Sequence, residues 1–216
     1  MGSVKPYYQD DLVTLYHGDC LEVTEWLAAD VLVTDPPYGL GGKLGFGSTE
    51  THKWDASLAV RDAALALWGE KPRAVFGSPR RLDAAPPHRE VPLIWDKGNV
   101  VAMGDTSFPW RPTYELIYVG GHGWSGPRGE AVLRSQHSSS ASSIGHPTPK
   151  PVGLLEALIN KAPAGLIADP FAGAGSTLIA ARNLGRRAIG IELEERYCEL
   201  IVKRLAQQVF DFGETA

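Results

Sequence analysis

A chain of 216 residues, 44% of them hydrophobic, is long enough to bury a substantial core, and its net charge of -4 argues against a generally basic nucleic-acid binder. Two cysteines, Cys20 and Cys198, stand far apart and outside any CxxC or Cys/His spacing, so neither a disulfide framework nor a zinc site is indicated and both are read as packing thiols. No run approaches the roughly 18 apolar residues of a membrane span. The opening "MGSVKPYYQDD" also lacks a signal peptide's apolar stretch, so the expectation is a cytoplasmic protein with no membrane contact.

Short β-rich apolar runs recur along the chain. They are "LVTLY" (12–16), "DVLVT" (30–34), "RAVFG" (73–77), "VPLIW" (91–95), "ELIYVG" (115–120), "GLIAD" (165–169) and "RAIGIE" (187–192). Several are apolar on both faces, as in strands covered on both sides. Helical patterns lie among them: "CLEVTEWLAA" from residue 20, "SLAVRDAALALWGE" from 57, "KPVGLLEALINKA" from 150, "STLIAARNLG" from 176 and "EERYCELIVKRLAQQV" from 194. The alternation predicts an α/β fold with a mostly parallel sheet of seven strands, the fifth run pairing antiparallel because only a short loop separates some later runs. Two segments lack such patterning: the Gly-rich 39–54 and the Gly/Ser-rich 121–145. Both are read as long surface loops, either lids or disordered, with "SSSASS" favouring disorder.

Charge is uneven. Residues 1–70 carry 4 Lys+Arg against 11 Asp+Glu, whereas residues 71–150 carry 10 against 6. A local basic patch can meet phosphates although the whole chain is acidic. The individual phosphate-contact candidates are Arg80, Arg81, Arg111, Arg128 and Arg134, each of which also reads as an ordinary surface charge.

Two stretches carry chemistry. "DPPYG" (35–39) follows the apolar run "DVLVT" and, read by itself, is equally a strand ending in a turn, since Asp opens turns and Pro presets the backbone. "LIADPFAGAGSTLIAARNLGRRAIGIELEERY" (166–197) reads as strand, Gly-rich turn, helix and strand. In it, Gly173 and Gly175 allow a sharp turn and close approach to a ligand, Ser176 begins the helix, and Glu192 ends the second strand. An acid there can accept both hydroxyl hydrogens of a ribose. The turn is not GxGxxG, and no lysine stands in a GxxxxGK frame, so a nucleoside triphosphate loop is not indicated.

"DPPYG" and "DPFAGAGS", with "HPTPKPVGLL" (146–155) and "YHGDCLE" (16–22), resemble the amino-methylating DNA methyltransferases that use S-adenosylmethionine. With the catalytic motif first and the cofactor motif last, the chain is similar to the permuted beta class of that family. The resemblance implies a circularly permuted, Rossmann-like methyltransferase fold in one domain over 1–216, with a short recognition insertion at about 121–145. It implies that Asp35 and the Pro36 carbonyl accept the two N–H bonds of an exocyclic amine, that Pro37 helps to fix the turn, and that Tyr38 stacks on the flipped base. Further implied are Phe171, Ala172, Gly173, Gly175, Ser176 and Thr177 around the methionine part of the cofactor. Glu192 falls to the ribose, Asp19 to the adenine side and Lys150 to the methionine carboxylate, with Asp169 in the same cofactor motif. Lys150 by itself reads as a surface lysine, and Asp19 as an acid at a helix start.

The implied activity is methylation of adenine N6 in double-stranded DNA, since Asp in this motif is more usual for adenine and Ser for cytosine. Cytosine N4 is the alternative, and a catalytically silent DNA-binding remnant the reading from another class. Methylation of RNA or protein and a nicotinamide-dependent oxidoreductase fit less well. A homodimer and a cognate restriction endonuclease are left open as partners. Pro149 stands where the family usually has Gln, and Tyr114 stands before Glu115 where His is common.

Overall fold

A computed structural model describes residues 4–41, 55–89, 91–98, 109–110, 112–135, 145–146 and 148–211. Among the described residues nine strands form one sheet: β1 (Tyr8–Gln9), β2 (Val13–His17), β3 (Val31–Thr34), β4 (Arg73–Gly77), β5 (Leu93–Asp96), β6 (Tyr114–Gly120), β7 (Val132–Arg134), β8 (Ile167–Asp169) and β9 (Ala188–Glu192). Their order is β1-β2-β9-β8-β3-β4-β6-β5-β7. All seven expected runs are strands. The count rises from seven to nine because two short edge strands flank them, β1 of two residues and β7 of three. These are too short to leave a periodic signature. As expected of the fifth run, β6 is antiparallel to both β4 and β5, while β2, β9, β8, β3 and β4 run parallel to one another.

Four α-helices are described: α1 (Ala59–Trp68), α2 (Val152–Ile159), α3 (Ser176–Asn183) and α4 (Glu195–Asp211). The helix expected from residue 20 is instead a single 3-10 turn, Glu25–Ala28. Side chains compete there with a helical backbone. The Asp19 carboxylate accepts the Leu21 N–H at 2.8 Å, and Trp26 Nε1 donates to the Cys20 carbonyl at 2.8 Å. Trp26 is thereby turned into the core, where it stacks on Trp68 with ring centroids 5.8 Å apart.

The central strands are buried on both faces, and successive residues feed opposite cores. Val31, Val33, Ala74, Phe76 and Ile167 pack with α2, α3 and α4, whereas Leu32, Val75 and Ala168 pack with Trp26 and Trp68. Cys20 and Cys198 are both buried, and burial pushes each thiol up to about 12. No helix among the described residues is long and apolar enough to cross a membrane.

The reversal at β6 decides where the chain goes next. Gly120 pairs with Arg73 at the start of β4, so residues 121–131 begin at the end of the sheet where the parallel strands start. Pro72 and Pro163 crowd Gly121 and Gly123 there, and the Ser125 N–H donates to the Lys161 carbonyl at 2.9 Å. β7 then runs parallel to β5 and brings Arg134 back beside Asp96, toward the opposite end.

Close contact between α3 and β9 depends on Gly190, where a Cβ would stand 2.8 Å from Leu178 Cδ1. Leu178 is fully buried. Leu178→Ala should therefore cost about 2–5 kcal/mol, through lost transfer energy and the cavity left between helix and sheet. Urea unfolding should show a lower midpoint at unchanged slope.

Candidate active site

Sheet register assembles the site. β3 and β8 lie side by side with Leu32 opposite Ala168, so the carboxyl ends carrying Asp35 and Asp169 become neighbours. Thr34 Oγ1 donates to Asp169 Oδ1 at 2.6 Å across that junction. On the other flank β2 pairs with β9, His17 opposite Glu192, and the Gly18 N–H donates to the Glu192 carbonyl at 2.9 Å. "GDC" is thus set beside the acid that ends β9. Between these ends lies a pocket of about 510 Å³, within the size range of small-molecule sites.

Of the residues singled out from sequence, Asp19, Asp35, Pro36, Pro37, Tyr38, Lys150, Asp169, Phe171, Ala172, Gly173, Ser176, Thr177 and Glu192 line this pocket. Gly175 does not line it. It sits behind the turn with φ +74°, and a Cβ there would meet Ile201 at 2.8 Å, so it shapes the turn and packs it on α4.

Glu192 closes the Gly-rich turn. It accepts the Gly173 N–H at 2.7 Å and the Glu194 N–H at 2.8 Å, one on each oxygen, which leaves further lone pairs toward the pocket. Burial pushes its carboxyl up to about 7, against the pull of those two N–H groups. Burial likewise raises Asp169 to about 6, although it also accepts the Phe171 N–H at 3.1 Å.

Around Asp35 lies a cluster of charges that sequence reading did not assemble. Lys150, 8% exposed, points its ammonium at Asp35 Oδ2 and lies 3.3 Å from Glu115 Oε2. Its sequence-based role was to face the cofactor's carboxylate. Glu115 Oε1 in turn accepts from the Lys97 ammonium. The Tyr38 hydroxyl stands 2.5 Å from Asp35 Oδ1 and 3.2 Å from Glu115 Oε2. Two carboxylates and two ammonium groups sum to zero charge in a largely dry place, the condition under which buried ions persist.

Burial raises the Asp35 carboxyl and Glu115 raises it further, against the attraction of Lys150. Burial works to raise Glu115 too, but the ammonium groups of Lys150 and Lys97 outweigh it and hold Glu115 low. Burial works against the Lys150 charge, and the two carboxylates outweigh it and raise that ammonium.

Four contributors carried little sequence signal: Lys97, Glu115, Thr34 and Asp55. Asp55 takes the N–H groups of Tyr38 and Gly39 on one oxygen, at 2.5 and 2.8 Å, and so fixes the turn after the prolines. Lys97 follows an apolar run, whereas Glu115 opens one and stands after Tyr114, where the resembled family commonly has His. Among the arginine candidates, Arg80 lines the pocket, held in a turn that Ser78 caps by accepting the Arg80 N–H at 3.2 Å. Arg81 pairs with Asp83, and Arg134 with Glu130 and more distantly Asp96. Arg128 belongs to the segment at the opposite end of the sheet, and Arg111 lies outside the described residues.

Residues 68–203, well over half of the chain, match the N6/N4 family of DNA methylases. The chain belongs to that family. It is 29% identical to the type II methyltransferase M.ScaI of Streptomyces caespitosus over 95% of this chain and 86% of that one. Among solved structures it is similar to the M1.HpyAVI-SAM complex, with a TM-score of 0.60, 24% identity, and 89% of this chain and 100% of that chain covered. A PvuII DNA methyltransferase described as cytosine-N4-specific superposes with a TM-score of 0.65 at 17% identity, covering 92% of this chain and 88% of that one. These two structural likenesses bear on fold.

The raised carboxyls of Glu192 and Asp169 fix the sign of a pH effect on the methylase. A folded-state value above the ordinary one means stabilisation fully present below about pH 4 and lost as pH rises through about 6 and 7. For Glu192 the change is on the order of 3 kcal/mol across a window from about pH 4.5 to about 7. Thermal melts of the ligand-free protein should show wild type losing stability relative to Glu192→Gln as pH rises through that window.

Proposed function

We propose that this DNA methylase uses S-adenosylmethionine to methylate the N6 amine of an adenine flipped out of double-stranded DNA. The observation that carries the reading is the β3–β8 junction, which places the acidic turn of Asp35 and the Gly-rich turn of Asp169 against one pocket.

The residues present fit the cofactor. Glu192 keeps acceptor capacity for two ribose hydroxyls, Asp19 stands beside it for the adenine side, and the backbone from Phe171 to Gly173 offers close approach for the methionine part. Gly175 shapes that turn, while Ser176 and Thr177 begin α3 and Asp169 anchors the turn through Phe171. When bound, S-adenosylmethionine supplies an electrophilic methyl group on a sulfonium, departing as S-adenosylhomocysteine.

The chain's own residues prepare the acceptor. An exocyclic amine is a poor nucleophile because its lone pair is delocalised into the ring, so it needs reorientation more than deprotonation. Asp35 accepts one N–H and the Pro36 carbonyl the other, turning the lone pair toward the methyl group, and the surplus proton of the methylated nitrogen then passes to Asp35 along the hydrogen bond already made. Pro36 and Pro37 restrict the backbone, and Asp55 pins the following turn, so the acceptor pair is set before the base arrives. Flipping costs a few kcal/mol, and stacking on the Tyr38 ring contributes roughly 1–3 kcal/mol toward it. The larger face of a purine gains more from that ring, which supports adenine over cytosine.

Asp35→Ala should lower methyl transfer by about a hundredfold to a thousandfold while leaving S-adenosylmethionine binding by calorimetry nearly intact. Digestion of the methylated DNA to nucleosides and mass spectrometry should yield N6-methyladenine. Methylcytosine alone would move the assignment to N4 of cytosine and leave the acceptor chemistry standing.

Placement of the arginines sharpens the expected DNA contact. Neutralising Arg80 should reduce the slope of log affinity against log salt by about 1, as for one lost phosphate contact, whereas Arg128→Gln should leave the slope unchanged. The reverse result would put the DNA at the other end of the sheet.

A further inference from the structure

In this structure both oxygens of the Asp35 carboxylate already have donors. Oδ1 takes the Tyr38 hydroxyl and Oδ2 takes the Lys150 ammonium. An arriving amine N–H must share or displace one of them. Both donors have a second acceptor within reach, and it is the same atom: Glu115 Oε2 lies 3.2 Å from the Tyr38 hydroxyl and 3.3 Å from the Lys150 ammonium. The other Glu115 oxygen is engaged by Lys97, which pins the carboxylate and supplies its counter-charge.

We infer that Glu115 is a positioning residue for methyl transfer: it is the alternative seat for the donors on Asp35, and it frees that carboxylate for the amine of the base. The inference rests on the role proposed for Asp35. Glu115 acts through Lys150 and Tyr38, not on the substrate. The charge count supports it, because moving the ammonium from one carboxylate toward the other leaves the total charge of the cluster unchanged. The exchange therefore avoids stranding a buried ion, which would be strongly unfavourable.

Charged and titratable groups facing Asp35 come from every neighbouring segment: Lys150, Tyr38 and Glu115 directly, and Asp169 across the β3–β8 junction. Replacing Glu115 by Gln removes the anionic seat. It leaves the ammonium wholly on Asp35 and removes a negative neighbour that raises the Asp35 carboxyl.

The test is carbon-13 NMR titration of the Asp35 carboxyl in the full chain, assigned through Asp35→Asn, together with transfer kinetics. In Glu115→Gln the Asp35 titration should move to lower pH. Its kcat should fall at least tenfold with the KM for S-adenosylmethionine unchanged, and Glu115→Asp, which keeps the charge, should recover part of the rate. An Asp35 titration that stays at the wild-type pH in both variants, even with lower melting temperature and activity, would assign Glu115 a purely structural role and overturn the inference. If Asp35→Asn itself retains full transfer, the role of Asp35 fails and Glu115's role fails with it.

Discussion

The parallel pairing of β3 with β8 is the constraint on which the rest of this protein depends. Those strands are far apart in the chain, yet each is fully buried, so each needs a neighbour for its backbone groups and apolar cover on both faces. Once they pair in register, the two acidic turns that follow them can only emerge together. Thr34 ties the junction by donating to Asp169, and the pocket opens above it. In open α/β sheets ligands gather at such carboxyl ends because the turns there carry free backbone groups and are not used up in the sheet.

The charge cluster around Asp35 needs more than that pairing. Asp35 follows β3, Glu115 lies in β6, Lys97 follows β5, and Lys150 precedes α2. Only the antiparallel placement of β6 between β4 and β5 brings Glu115 to the same end of the sheet as Asp35, because a strand running the other way presents its beginning where its neighbours end. An unpaired ion at this depth would neutralise by shifting its proton equilibrium, so the four charged groups stand or fall as a set. The low value of Glu115 and the raised Lys150 both express that mutual dependence.

The same reversal shapes the path of the chain after β6. After β6 the chain leaves toward the end of the sheet remote from the pocket, and only with β7 does it return. The arginine-bearing loop is therefore divided between two ends of the molecule: Arg128 belongs to the far part, while Arg134 in β7 returns beside Asp96, toward the end where Arg80, after β4, lines the pocket.

Most of the strands and the turn chemistry were legible in the sequence by itself, because those features are local. Apolar runs bounded by glycine and proline become strands, "DPPYG" and "DPFAGAGS" carry their backbone constraints within a few residues, and the family resemblance rests on those same letters. The failures were also local in origin. The stretch from residue 20 has a helical pattern, but Asp19 and Trp26 spend their hydrogen bonds on the nearby backbone, and burial of Trp26 settles the matter in favour of a short turn. What the sequence determined, then, was the set of elements and the chemistry at their ends. Tertiary structure alone decided that Lys150 meets Asp35, that Glu115 and Lys97 join them, and that Arg128 stands apart from Arg80. Those outcomes follow from strand order and direction, which arise from pairing between distant segments and leave no periodic trace in any one of them.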